Sequence, residues 1–100
     1  MENLALITQI TYTTSNRNDI VALLETDKVY KFSFDVDREC RFHLFVRDEN
    51  TNEIIQSINL HQQHLPGHYE FDKHIPRGGI LMYEFSGRLA TISNIEIIER

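Results

Sequence analysis

Tyr30-Lys31-Phe32-Ser33-Phe34-Asp35-Val36, the turn Asp37-Arg38-Glu39, and Cys40-Arg41-Phe42-His43-Leu44-Phe45-Val46-Arg47 decide how this chain folds. In the first run Tyr30, Phe32, Phe34 and Val36 alternate with Lys31, Ser33 and Asp35; in the second Cys40, Phe42, Leu44 and Val46 alternate with Arg41, His43, Phe45 and Arg47. A strand sends every second side chain to the same face, so each run has one apolar, aromatic-rich face and one mostly charged face. Joined by a short polar turn, the two read as an antiparallel hairpin.

Further strand candidates lie on either side. Leu4, Leu6, Thr8, Ile10 and Tyr12 share one parity, and Ile20–Glu25 follows a polar loop at Thr13–Asp19. After the central pair come Glu53–Leu60, Gly67–His74, Ile80–Ser86 and Leu89–Glu99, with Pro66-Gly67, Pro76-Arg77-Gly78-Gly79 and Gly87 as punctuation. Only Asn18–Glu25, with Asp19 as a cap, competes as a turn of helix. Strands of this spacing predict an all-β, two-sheet antiparallel sandwich of seven or eight strands, immunoglobulin-like or jelly-roll, in one domain spanning residues 1–100. Its expected core is Leu6, Ile10, Tyr30, Phe32, Phe34, Val36, Phe42, Leu44, Val46, Ile54, Ile58, Tyr69, Phe71 and Ile95.

Composition narrows the function classes. The formal net charge is -5, and the ten Lys and Arg residues are dispersed among acids, so nucleic-acid binding lacks its basic footprint. No apolar run approaches the roughly 20 residues of a membrane helix. The start, Met1-Glu2-Asn3-Leu4-Ala5-Leu6-Ile7-Thr8, lacks the cationic and apolar regions of a signal peptide. The expectation is a protein that stays inside the cell that makes it, a part of a larger assembly, or a secreted module without its export signal, with the compartment left open. Cys40 is the sole cysteine and shares the parity of Phe42 and Leu44, which makes it a core residue rather than a nucleophile.

The pieces Tyr30-Lys31-Phe32-Ser33-Phe34, Phe42 to Asp48, Pro66-Gly67-His68-Tyr69 and Gly79-Ile80-Leu81-Met82-Tyr83 follow one another in a recognisable order. That order, from Val29 to Gly87, resembles the immunoglobulin-like module of flagellar hook-capping proteins and the related C-terminal sorting modules of secreted bacterial proteins. The eight-strand outline, ending on the alternating Ile92–Ile98, is also similar to jelly-roll carbohydrate-binding modules.

Four constellations invite chemistry. His61, His64, His68 and His74 are close in sequence, but no cysteine joins them; they read as solvated loop and strand residues and not as a zinc site. Asp48-Glu49-Asn50-Thr51-Asn52-Glu53 imitates the start of a calcium loop, yet Glu53 stands where that loop needs glycine, so a polar turn with local hydrogen bonds is expected. The same-face pairs Asp35/Asp37 and Glu70/Asp72 do not oppose each other across a cleft as glycosidase carboxylates do. No nucleophile elbow, phosphate loop or Cys-His protease spacing is present. No metal, cofactor or catalytic residue is therefore expected.

The fourth constellation is aromatic. Phe45 has the parity of Arg41, His43 and Arg47, which puts it on the outer face, and either Tyr83 and Phe85 or Met82 and Glu84 must face outward. Aromatics beside arginine anchor protein interfaces and stack on sugars. The expected function is a non-catalytic structural or interaction module of a bacterial or phage assembly. It would bind a protein partner, or itself, through an exposed sheet face or edge strand, with Phe45, Arg41, His43, Arg47, Tyr83 and Phe85 as contact residues. The alternative is a carbohydrate-binding module using Tyr12, Phe45 or Tyr83.

Overall fold

A computed structural model describes residues 2–11, 20–59, 62–86 and 89–100. They form β1 (Ile10–Thr11), β2 (Ala22–Leu24), β3 (Lys28–Val36), β4 (Cys40–Arg47), β5 (Ile54–Ser57), β6 (Gln63–His64), β7 (Gly67–Ile75), β8 (Gly79–Ser86) and β9 (Thr91–Glu99). Two antiparallel sheets stack: one in the order β1-β9-β3-β7, the other β2-β8-β4-β5 with β6 also pairing β4. From β2 to β4 and from β7 to β9 the chain changes sheet at every connection, which is the jelly-roll winding of a sandwich. No helix among the described residues is long and apolar enough to cross a membrane.

The central runs are both strands, the first extended back to Lys28, but they do not form a hairpin. β3 pairs β7 and β9, while β4 pairs β5, β6 and β8. The turn at 37–39 is an arch from one sheet to the other, tied down where the Thr91 amide donates to the Asp37 carboxylate at 2.6 Å. Two apolar faces separated by a short turn can lie side by side in one sheet or face each other across the core. Here they face each other.

The interior is built from the apolar parity of both sheets. Tyr30, Phe32, Phe34, Val36, Ile92, Ile95 and Ile97 meet Ala22, Leu24, Cys40, Phe42, Leu44, Val46, Leu81, Tyr83 and Phe85. On β9 both Ile92 and Ile95 face inward because the ladder with β3 shifts register between Ser33 and Asp35. Asn94, at φ 52°, takes the left-handed conformation of this bulge, one that asparagine tolerates better than most residues.

Tyr69 and Phe71, expected in the core, pack against it only partly buried. Leu6 is 68% exposed and Ile54 58% exposed, so neither belongs to it. Around Leu6 the N-terminal segment divides its hydrogen bonds: the Leu4 amide donates to Ile97 and the Leu6 amide to Val21, and among the described residues of this segment only Ile10–Thr11 forms a ladder. Tyr12 and the loop at 13–19 lie outside the described residues, and Ala22–Leu24 is strand where a helical turn competed.

Between β5 and β6 a side chain completes a ladder. The Leu44 amide donates to Asn59 Oδ1 at 2.7 Å, and Asn59 Nδ2 donates to the Phe42 carbonyl at 2.7 Å. The Ile58 amide bonds Leu44 and the Phe42 amide bonds Gln62, so the Asn59 amide stands in for one peptide unit of an edge strand interrupted beside β4.

Candidate functional site

Four edges end the two sheets, and they differ in length. β1 has two residues and β2 three, the edge beside β4 is broken into β5 with four and β6 with two, whereas β7 runs unbroken for nine. Short edges are protected from pairing with other chains; a long one is open to it. Among the described residues β7 pairs β3 alone. An antiparallel strand turns successive residues' backbone groups to opposite edges. The Ile75 carbonyl accepts the Asp27 amide from the β3 side, while the His74 carbonyl accepts Gln56 Nε2 from outside at 3.0 Å. Residues 68, 70 and 72, in phase with His74, therefore direct their amides and carbonyls outward.

Side chains of β7 follow the same period. His68, Glu70, Asp72 and His74 are exposed on the outer face, while Tyr69, Phe71 and Lys73 lean inward and Ile75 is fully buried. Beside the inward residues a groove of about 540 Å³ opens between the edges of the two sheets, lined by Ile58, Asn59, Gln63, His64, Tyr69, Phe71, Asp72 and Lys73. Its size is within the range of pockets that hold ligands. One sheet edge is bridged to the other by Gln56 on His74, and the Tyr69 hydroxyl donates to the Leu65 carbonyl at 2.6 Å. Phe71 stacks on Phe32 at 5.6 Å and Tyr69 on Phe34 at 5.5 Å, so the aromatic wall is backed by the core.

The histidines divide. His64 is 4% exposed, not solvated: paired with Cys40 in register, it turns its ring inward against Tyr69 at 4.6 Å and Phe34 at 5.4 Å. His68 and His74 are exposed, and each meets an aspartate, Asp35 at 2.5 Å and Asp27 at 2.8 Å. His61 lies outside the described residues. The hydrogen bond with Asp35 foremost, with Glu70 at 3.5 Å adding to it, holds the His68 pKa above its ordinary value; Asn94 and His68 hold Asp35 below its own. Among the described residues no three His, Cys, Asp or Glu side chains are grouped to hold a metal ion.

Asp48 opens the expected polar turn. Its Oδ1 accepts the amides of Asn50 at 2.7 Å and Thr51 at 2.9 Å, which hold its pKa low, and Arg77 bonds its other oxygen.

The aromatic contact residues are placed differently from expectation. Arg41, His43, Phe45 and Arg47 do share the outer face of β4, but Phe45 is only 5% exposed. Its cross-strand neighbours are Met82 and Ser57, and the His43 ring lies 5.5 Å from its own. Tyr83 and Phe85 belong to the core cluster, with Phe42 at 6.1 and 5.9 Å, and offer no contact surface. Arg41 and Glu84 stay exposed on this face, and so do Leu23 and Ile54 at the ends of a cross-strand row whose middle members, Ile80 and Arg47, are half-buried. The row ends on the short edge strands β2 and β5, not on a long one like β7.

No protein-family model matches this chain, nor does any curated protein or solved structure.

Proposed function

We propose that this jelly-roll domain is a non-catalytic interaction module that takes up an extended segment of a partner protein along β7. The observation that carries the reading is the nine-residue edge strand, unpaired on its outer side among the described residues and flanked by the groove. Strand addition uses outward backbone groups for affinity and alternate side-chain pockets for selection, and both elements lie together here. A strand laid roughly 4.8 Å from β7 would project every second side chain towards Tyr69, Phe71, Ile58 and His64. The resemblance of Val29–Gly87 to assembly modules supports reading the partner as a neighbouring subunit of a bacterial or phage assembly.

The test is a peptide selection against the whole domain followed by one edge-blocking substitution. Asp72→Pro removes an amide that faces away from β3, so the β3 ladder is kept while the docking edge is interrupted. Selected peptides should lose binding to Asp72→Pro and retain it with Asp72→Asn and Phe45→Ala. Equal binding to Asp72→Pro, with its fold verified by circular dichroism, would refute strand addition.

A carbohydrate reading draws on the half-buried Tyr69 and Phe71 rings, flanked by Asn59, Gln63, Asp72 and Lys73. Saturable binding of an oligosaccharide that is lost in Phe71→Ala would favour it over a protein partner.

A further inference from the structure

We infer that the segment accepted by β7 is cationic: an extended chain alternating apolar side chains, which enter the groove, with Lys or Arg on the solvent face opposite Glu70 and Asp72. This rests on the reading of β7 as a docking edge and adds the chemistry of its occupant. Glu70 and Asp72 are successive residues on the solvent face of the strand. Each uses one oxygen towards cations of its own sheet: Glu70 Oε1 meets Lys31 at 3.8 Å and His68 at 3.5 Å, and Asp72 Oδ1 meets Arg100 at 3.1 Å. Both carboxylates keep about half of their surface in solvent, Glu70 at 51% and Asp72 at 50%. A side chain on an added strand would stand directly across from each carboxylate, where opposite charges attract and like charges repel.

The same two residues argue against a second copy of this chain as the occupant. Antiparallel self-pairing centred on Phe71 sets Glu70 against Asp72 of the other copy twice. Centring on Glu70 or Asp72 sets that residue against itself. Registers shifted further bring Pro66 or Pro76 opposite the strand. The carboxylates thus oppose self-pairing along the full edge while favouring a basic strand.

Three peptides of alternating valine with lysine, glutamine or glutamate serve as probes, titrated into the domain at low ionic strength. The lysine peptide should bind about five- to tenfold tighter than the glutamine peptide, and the glutamate peptide weakest. Glu70→Gln with Asp72→Asn should erase the ranking, and Asp72→Pro should abolish binding where Asp72→Asn only weakens it. Three peptides bound equally, all lost in Asp72→Pro, would overturn the cationic inference and leave strand addition standing. A lysine preference that is the same in Asp72→Pro and Asp72→Asn would mean surface adhesion and overturn both. Absence of binding by all three peptides, or a wild-type dimer by sedimentation that Asp72→Pro dissociates, would also overturn the inference.

Discussion

Phe34 and Phe42 meet edge to face across the interior, ring centroids 5.1 Å apart at 71°, although only the rest of two strands and the arch at 37–39 separate them in sequence. Both are buried, at 1% and 0% exposure. The contact joins the two sheets, so it is the smallest unit in which the sandwich exists: one ring from each layer, held by one arch.

Truncating either ring should therefore act on the whole fold. Phe34→Ala or Phe42→Ala is expected to cost about 3–5 kcal/mol, a large share of the roughly 5–15 kcal/mol that stabilises a typical domain. Denaturant unfolding measures it. The double variant should cost less than the sum of the two, because the rings share a contact. Melting unchanged in both single variants would contradict the packing.

Asn59 makes a different kind of demand. Asn59→Ala removes the partners of a buried backbone amide and a carbonyl on β4 at once. The expected loss is roughly 2–4 kcal/mol. Asn59→Asp should not rescue it, since the carboxylate can accept from Leu44 but cannot donate to Phe42.

Phe45→Ala is expected to destabilise the isolated domain by about 2–3 kcal/mol, below the range for a ring enclosed on both sides. An unchanged midpoint of unfolding would restore Phe45 to the role of a dispensable surface anchor.

His68 should titrate above its ordinary 6.5 by NMR, because Asp35 and Glu70 favour its charged form. A raised folded-state pKa contributes stability that is fully present below the unfolded value and is lost as pH rises through the folded one. Asp35→Asn should return the midpoint towards 6.5, and a wild-type midpoint at or below 6.5 would contradict the pair.

Much of this was legible in the alternation of residues 30–47. It gave β4 to the residue and β3 from Tyr30 to its end, the inward parity of Tyr30 to Val36 and of Cys40 to Val46, and the outer-face grouping of Arg41, His43, Phe45 and Arg47. Alternation records which face a side chain takes but not which sheet its strand joins, and so the arch read as a hairpin. It also does not tell whether an outer-face ring is covered: Phe45, on the outer parity, is 5% exposed, with Met82 and Ser57 brought beside it by sheet register. The bulge at Asn94, the amide of Asn59 acting as backbone, and the turning inward of His64 are equally products of sheet registry. The docking edge was half visible. The Gly67–His74 run was expected as a strand, but its place at the end of a sheet follows from strand order, which no local pattern contains.

Amide hydrogen exchange along β7, read residue by residue with and without a bound extended peptide, tests the docking edge most directly. In the free domain the amides of Tyr69 and Phe71, which face β3, should exchange slowly, and those of Glu70 and Asp72 fast. On binding, Glu70 and Asp72 should become protected while the amides of Leu23 and Ile54 on the other sheet do not change. Glu70 and Asp72 amides already protected in the free monomer, or still fast in the saturated complex, would contradict β7 as the edge that receives the partner.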